Sequence, residues 1–189
     1  NNDKQQASDD NESLKVSNSH DEIESDNLSY NITDTQFYTF TNSIGNIEYY
    51  FIMEVENTGD CNLYLKSCKM DLEDNDGHLL QAGDTASSCP SVIKPGEKGY
   101  FYNGSLDSLL DDNIDISNGI NCVPSYEIIK ANKEPIEYEV SDLSLSKDSG
   151  CAKVTGRVTN TTVEDDSYIY LNIVYYDSTG KVIGITGTS

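Results

Sequence analysis

Residues 70–80 read "MDLEDNDGHLL", in which four acidic side chains and an Asn surround a single Gly. A calcium loop of the helix-loop-helix kind needs oxygen ligands at its first, third, fifth and twelfth positions and Gly at the sixth. With Gly77 at the sixth position, Leu72 falls at the first and Gly83 at the twelfth. Neither side chain offers an oxygen, so we predict no metal site. Asp and Asn before Gly, between two apolar runs, instead predict a hairpin turn at residues 74–77.

The same turn occurs a second time in the chain. Residues 173–183 read "IVYYDSTGKVI", and an ungapped alignment puts the turn at 177–180 on the turn at 74–77. Continued backwards in the same register, "RVTNT" at 157–161 falls on "EVENT" at 54–58. The second turn has lost most of the acidic side chains, so the feature common to both copies is the hairpin geometry and not the charge.

The repeated residues resemble a known family. Each copy has a strand, an Asn-Thr pair, a second strand ending in an apolar-x-apolar-x-Asp motif, a DxxG turn and an apolar restart. The motif stands as Met70-Asp71-Leu72-Glu73-Asp74 and as Ile173-Val174-Tyr175-Tyr176-Asp177. It resembles the FxLYD domain of bacterial and archaeal surface proteins, as does "IKPGEKGYFY" at residues 93–102. The Phe of the family motif is replaced in both copies, and Glu73 stands where the aromatic residue belongs.

The resemblance implies an all-β fold of tandem immunoglobulin-like antiparallel β-sandwiches, with no known catalytic activity. Taken with the composition of the N-terminal segment, it divides the chain into a disordered acidic tail at 1–27, a first sandwich at 28–132 and a second at 133–189. Nothing in the second copy matches the "KPGE" loop and its closing strands, so we expect the second sandwich to be incomplete. Either the chain is a fragment, or a strand from elsewhere, such as Glu127–Ala131 or another molecule, completes the open edge.

Side-chain alternation predicts the same fold class without the family. Strand periodicity places Cys68, Met70 and Leu72 on a buried face, and Leu65, Ser67, Lys69, Asp71 and Glu73 on the solvent face. Several short strands separated by Asn, Asp, Gly and Pro turns favour a sandwich. Only Ser105–Asp112 has helical spacing, for at most two turns.

Charge and composition narrow the partners and the location. The net charge is -21 and Arg157 is the one arginine, so we expect no nucleic-acid partner and no attraction to an anionic membrane surface. Residues 1–27 contain no aromatic side chain and cannot offset the entropy cost of ordering. A polar tail ahead of a β-rich body is typical of a mature bacterial lipoprotein. We therefore expect an extracellular protein at the bacterial cell surface, with a lipid tether upstream of residue 1.

The cysteines leave two interpretations open. No CxxC pair occurs, so we expect no metal bound through cysteine. In an exported protein, Cys61, Cys68, Cys89 and Cys122 can pair in three ways to give two disulfides. Free buried thiols are the alternative.

The second copy carries the candidate ligand-binding residues. When the faces of the first copy are applied to it, the buried set is Ile169, Leu171, Ile173 and Tyr175. The solvent set is Tyr168, Tyr170, Asn172, Val174 and Tyr176. Exposed tyrosines two apart on a strand form a platform for sugar rings or a protein partner, so Tyr168, Tyr170 and Tyr176 are the candidates. The alternatives are that this face packs against the first sandwich or a missing part of the chain, or that the tyrosines only reflect the high strand propensity of Tyr.

We expect no enzyme and no cofactor. The two histidines, His20 and His78, lie in the tail and beside the turn, and no nucleophile or phosphate-binding motif accompanies them. We expect a non-catalytic spacer or adhesion module instead. The alternative is a module that binds cell-wall glycan or a surface protein through the tyrosine face. The Asn-x-Ser/Thr sites at Asn31, Asn103 and Asn160 suggest exposed loops only if the source glycosylates its proteins.

Overall fold

The computed structural model describes residues 27–103, 110, 114–148, 151–162 and 169–188. All regular elements within these ranges are β-strands, as the sequence predicted. The described residues contain no helix that is long and apolar enough to cross a membrane. The strands are β1 (Tyr30–Thr41), β2 (Ile47–Asn57), β3 (Leu63–Glu73), β4 (Leu79–Thr85), β5 (Ser87–Cys89), β6 (Val92–Ile93), β7 (Lys98–Tyr102), β8 (Asn121–Lys130), β9 (Glu139–Asp148), β10 (Cys151–Thr159), β11 (Leu171–Tyr176) and β12 (Val182–Thr188). Apart from Asn27 and Leu110, the predicted tail and the segment Ser105–Asp112 lie outside the described residues.

The first copy consists of two antiparallel sheets. The central sheet has the strand order β1-β2-β7-β5. In the outer sheet, β3 pairs along its whole length with β8 on one edge, and with β4 and β6 on the other edge. The two sheets enclose the first hydrophobic core, so the copy has the sandwich-like architecture that the sequence predicted.

The first core takes its side chains from alternate positions of β2 and β3, because successive residues of a strand point to opposite faces. These residues are Tyr49, Phe51, Met53 and Val55 on β2, and Leu63, Leu65, Cys68, Met70 and Leu72 on β3. The prediction that Cys68, Met70 and Leu72 are buried is confirmed. The prediction that Leu65 faces solvent is wrong. The β3–β8 register shifts between Leu65 and Ser67, and this bulge turns Leu65 into the core.

The hairpin β11–β12 covers the other face of the central sheet and creates a second core. Its members are Tyr50, Ile52, Cys89, Tyr100, Tyr102, Val182 and Ile185, with Val174 packed against them. Every residue from Tyr49 to Val55 is consequently buried. A strand covered on both faces has no need of a polar side, which accounts for the nearly continuous apolar run "YYFIM".

Strand by strand, the second copy repeats part of the first. In the sequence register of the repeat, β10, β11 and β12 take the places of β2, β3 and β4. They form two separate hairpins, β9–β10 and β11–β12. Among the described strands, β10 and β11 each have one hydrogen-bonded neighbour, whereas β2 and β3 are paired on both edges.

The segment Glu127–Ala131 does not complete the second copy, and that prediction is wrong. Its residues 127–130 belong to β8, which pairs with β3, and the N–H of Ala131 donates to Asn62 O at 2.8 Å. Ile128 is buried in the first core. The apolar face of this segment is therefore used by the first sandwich.

Candidate functional site

The repeated turn is a hairpin turn in both copies, as predicted. The N–H of Asp74 donates to His78 O at 3.0 Å, and the N–H of Gly77 donates to Asp74 O at 3.1 Å. In the second copy, the matching bonds from Asp177 and Gly180 measure 2.9 and 3.1 Å. Both glycines have positive φ, +82° and +85°, a conformation that side chains with a Cβ adopt at a cost.

The side chain of Asp74 stabilises the turn by accepting hydrogen bonds from it. One carboxylate oxygen accepts the N–H groups of Asp76 and His78, both at 2.9 Å, and the other contacts the His78 ring at 3.0 Å. The backbone and ring bonds from His78 hold the pKa of Asp74 far below its ordinary value. Asp74, Asp76 and His78 can each direct one ligand atom into a common space, with those atoms within 4.8 Å of one another. Since Asp177 forms the same bonds with Thr179 and Lys181, the geometry is that of the turn itself.

The tyrosine face that we predicted from the sequence is not a single exposed platform. Tyr168 lies outside the described residues. Tyr170 is 73% exposed immediately before β11, and Tyr176 is 53% exposed at its end. The Tyr176 hydroxyl lies 3.0 Å from that of Tyr100. Val174, which lies between Tyr170 and Tyr176 in the sequence, packs on the second core. The prediction that this face of β11 points to solvent is therefore wrong for Val174, whereas Tyr176 is exposed.

Tyrosines of the first copy hold the hairpin on the central sheet. The Tyr50 hydroxyl donates to Ile185 O at 2.9 Å and accepts the N–H of Ile185 at 2.6 Å. It therefore satisfies both backbone groups of Ile185, as a neighbouring strand would. The Tyr102 hydroxyl donates to Asn172 Oδ1 at 2.6 Å. Buried hydroxyls that find partners in this way stabilise and orient an interface.

Polar contacts continue along the edge strand β1. Gln36 Nε2 donates to Val182 O at 2.7 Å, and Lys181 Nζ lies 3.7 Å from an Asp34 carboxylate oxygen. The first contact satisfies a backbone carbonyl at the start of β12. The Lys181–Asp34 pair is more exposed and contributes little.

Cys61, Cys68, Cys89 and Cys122 are free thiols in the structure, the second of the two interpretations that the sequence left open. In the β3–β8 register Cys68 lies opposite Tyr126 and Cys122 opposite Leu72, about 13 Å apart along the strand. Cα atoms must come within about 7 Å to form a disulfide. Cys61 precedes β3 at its other end, and Cys89 belongs to the second core, on the far side of the central sheet.

Burial makes these thiols poor nucleophiles. It raises the pKa of Cys68 and of Cys122 to about 12, with the charges of Cys68 and Asp71 adding to the shift at Cys122. It raises the pKa of Cys89 to about 11, against a smaller opposing effect of a hydrogen bond with Asn172. The thiolate is the reactive form of cysteine, so none of the three is activated near neutral pH.

Glu54 of β2 is a buried charged side chain. Its Oε1 accepts from Lys98 Nζ and from Thr33 Oγ1, both at 2.6 Å. Burial by itself would raise the pKa of Glu54, but the bonds from Lys98 and Thr33 outweigh it and lower the pKa. A buried carboxylate paired in this way is a structural ion pair.

A cleft lies between the two hairpins of the second copy. It has a volume of about 570 Å³. One wall consists of Val140, Leu143, Val154, Thr155, Gly156 and Val158, and the other of Leu171, Asn172, Ile173 and Val174. The lining is mostly apolar, which suits an apolar side chain or chain segment.

The sequence reasoning missed the tyrosines of the first copy that receive the hairpin, Tyr50, Tyr100 and Tyr102. A signal for them existed. The run "YYFIM" on β2 lacks the alternation of a half-exposed strand, so something had to cover its second face.

No known protein family matches the chain, and no curated protein or solved structure shows significant similarity to it.

Proposed function

We propose that the chain is a non-catalytic spacer module, made of two FxLYD-like copies and displayed on the outside of a bacterial cell from a lipid tether. The observation that supports a spacer is the attachment of β11–β12 to the central sheet. A stalk needs successive modules that do not bend freely, and a buried second core with hydrogen-bonded tyrosines supplies such a connection.

The chemistry of the described side chains agrees with a non-catalytic role. Cys68, Cys89 and Cys122 have raised pKa values, and the acidic groups with lowered pKa values are engaged in turns or in the Glu54–Lys98 ion pair. A general base or nucleophile needs a neighbour that activates it and access to substrate. These groups lack that combination.

Binding of a glycan or surface protein through tyrosine remains the second candidate function, and one observation favours it. Tyr170 is a large aromatic side chain that is 73% exposed. An exposed aromatic ring of this kind offers a flat apolar surface on which a sugar ring can stack.

A binding screen separates the two functions. The full chain and its Tyr170→Ala variant are tested against cell-wall glycans, with calcium present and absent. The spacer role predicts no saturable binding by either protein. Binding that is saturable and is lost in Tyr170→Ala, with the circular dichroism spectrum unchanged, would contradict the spacer role and support the binding module.

A further inference from the structure

The hairpin β9–β10 presents an apolar face to solvent. Val140, Leu143 and Leu145 of β9 are 51%, 68% and 69% exposed. In the β9–β10 register, Leu145 lies opposite Val154 and Val140 opposite Val158, so the two strands share this face. Contiguous exposed aliphatic side chains of this kind mark a contact surface.

Unpaired strand edges border the same face. The cleft of about 570 Å³ separates it from Leu171 and Ile173 of β11. Within the described part of the chain, β10 pairs only with β9, and β11 only with β12. Each of them therefore leaves one edge of backbone donors and acceptors available beside an apolar cleft, which is the arrangement that receives an added strand.

The first copy shows what occupies the equivalent position. There β7 pairs with the second edge of β2, with Phe101 opposite Met53 and fully buried in the first core. In the register of the repeat, Gly156 stands at the position of Met53, and Val154 at that of Phe51. Leu143 of β9 covers Gly156, since a Cβ added there would lie 2.8 Å from Leu143 Cδ2. The room for a large apolar side chain from an incoming strand is therefore the cleft beside Leu143.

A strand that fits the second copy needs a different charge from the one that β7 carries in the first copy. In the first copy, Lys98 of β7 lies 2.6 Å from Glu54 of β2. Arg157 occupies the position of Glu54 in the second copy. Its Nε is 3.6 Å from an Asp142 carboxylate oxygen, and both side chains are largely exposed. An incoming strand is therefore complementary when it carries a carboxylate where β7 carries Lys98.

We propose that the cleft between β9–β10 and β11–β12 binds an extended strand of a partner protein. The strand pairs with the open edge of β10, inserts a large apolar side chain into the cleft beside Leu143 and places a carboxylate beside Arg157. The β7 strand of a second copy is a poor occupant because it would bring Lys98 to Arg157. The inference is independent of the spacer role, since peptides test the cleft and glycans test the spacer.

Two peptides with the sequence of residues 97–103 test the charge requirement. One is unchanged and the other carries Lys98→Glu, and the affinity of each for the full chain is measured by fluorescence anisotropy. The Glu peptide is expected to bind about three-fold more tightly, the effect of one exposed ion pair. In the Arg157→Glu variant the preference is expected to reverse, so that the unchanged peptide binds more tightly.

A second variant tests the cleft itself. Leu143→Asp puts a charge on the apolar wall at an exposed position, so folding is retained, and both peptides are expected to lose at least about ten-fold in affinity. Ile183→Asp is the matched control, because Ile183 is an exposed residue of β12 that does not line the cleft. Absence of binding by both peptides, or the same preference in wild type and Arg157→Glu, overturns the proposal. A dimer that dissociates in Leu143→Asp also overturns it, because a second copy would then fill the cleft.

Discussion

At the scale of single residues, Asn103 bridges two backbone groups of the central sheet. Its Oδ1 accepts the N–H of Phe51 at 2.6 Å, and its Nδ2 donates to Tyr49 O at 3.1 Å. Asn103 is also the first residue of an Asn-x-Ser site, for which the sequence suggested an exposed loop. The side chain is buried in the structure and does not lie in an exposed loop.

Asn103→Ala is expected to lower the free energy of unfolding by about 2 kcal/mol, because two buried backbone groups lose their partners. Chemical denaturation followed by circular dichroism measures the change. Asn31→Ala serves as the comparison, since Asn31 is an exposed residue of β1. Equal effects of the two substitutions would show that Asn103 holds nothing in place.

Asp74 makes the stability of the first turn depend on pH. Because the folded-state pKa of Asp74 lies below its unfolded value, the charged carboxylate stabilises the fold above about pH 4. That contribution is lost as the pH falls through the folded-state pKa. Asp74→Asn is therefore expected to unfold at a lower temperature than wild type at pH 7, with the difference shrinking below about pH 4. A difference that stays constant from pH 7 to pH 3 would contradict this assignment.

At the scale of elements, the turns were predictable and the faces of the strands only partly so. Turn chemistry is local, and an Asp three residues before a Gly specifies the turn geometry in both copies. The side of a strand that faces solvent depends on partners elsewhere in the chain. The bulge beside Leu65 and the packing of Val174 on the central sheet depend on such partners, so periodicity alone could not place them.

The second turn offers a direct test of backbone conformation. Gly180→Ala is expected to cost about 1 kcal/mol, because Ala is strained at φ +85° even though nothing crowds the new Cβ. Gly184→Ala is the matched control within the same hairpin, where an added Cβ meets only Tyr175 and the Tyr50 hydroxyl at 3.8 and 4.0 Å. Thermal unfolding should separate the two variants. A larger loss in Gly184→Ala would mean that packing on the central sheet, and not the turn, limits this hairpin.

At the scale of the whole molecule, the sequence predicted the repeat and the all-β class but not how the copies meet. Packing of the tyrosine-bearing strand on the first copy was one of several alternatives, since the pattern of apolar residues is the same for a face in solvent and a face in an interface. The cleft could not be predicted from the sequence either, because its walls come from two hairpins whose relative orientation the sequence does not specify.

Ile185→Ala is expected to loosen the hairpin from the central sheet and expose Cys89. Truncation of a buried Ile typically costs about 2–5 kcal/mol, whereas a factor of ten in an opening equilibrium needs about 1.4 kcal/mol. The rate of Cys89 modification by a thiol reagent should therefore rise at least about ten-fold. Cys89→Ser in the same background identifies the signal. An unchanged rate would indicate that the hairpin stays docked without this side chain.

The attachment of β11–β12 also sets the order in which the chain can fold. The bonds between Tyr50 and Ile185 join residues 135 positions apart, so loop-closure entropy delays them until the first sandwich has formed. During synthesis, the central sheet is complete before residues 171–188 leave the ribosome. Its tyrosine-rich face then remains exposed to water until β11–β12 covers it. During that interval the nascent chain is most prone to aggregation.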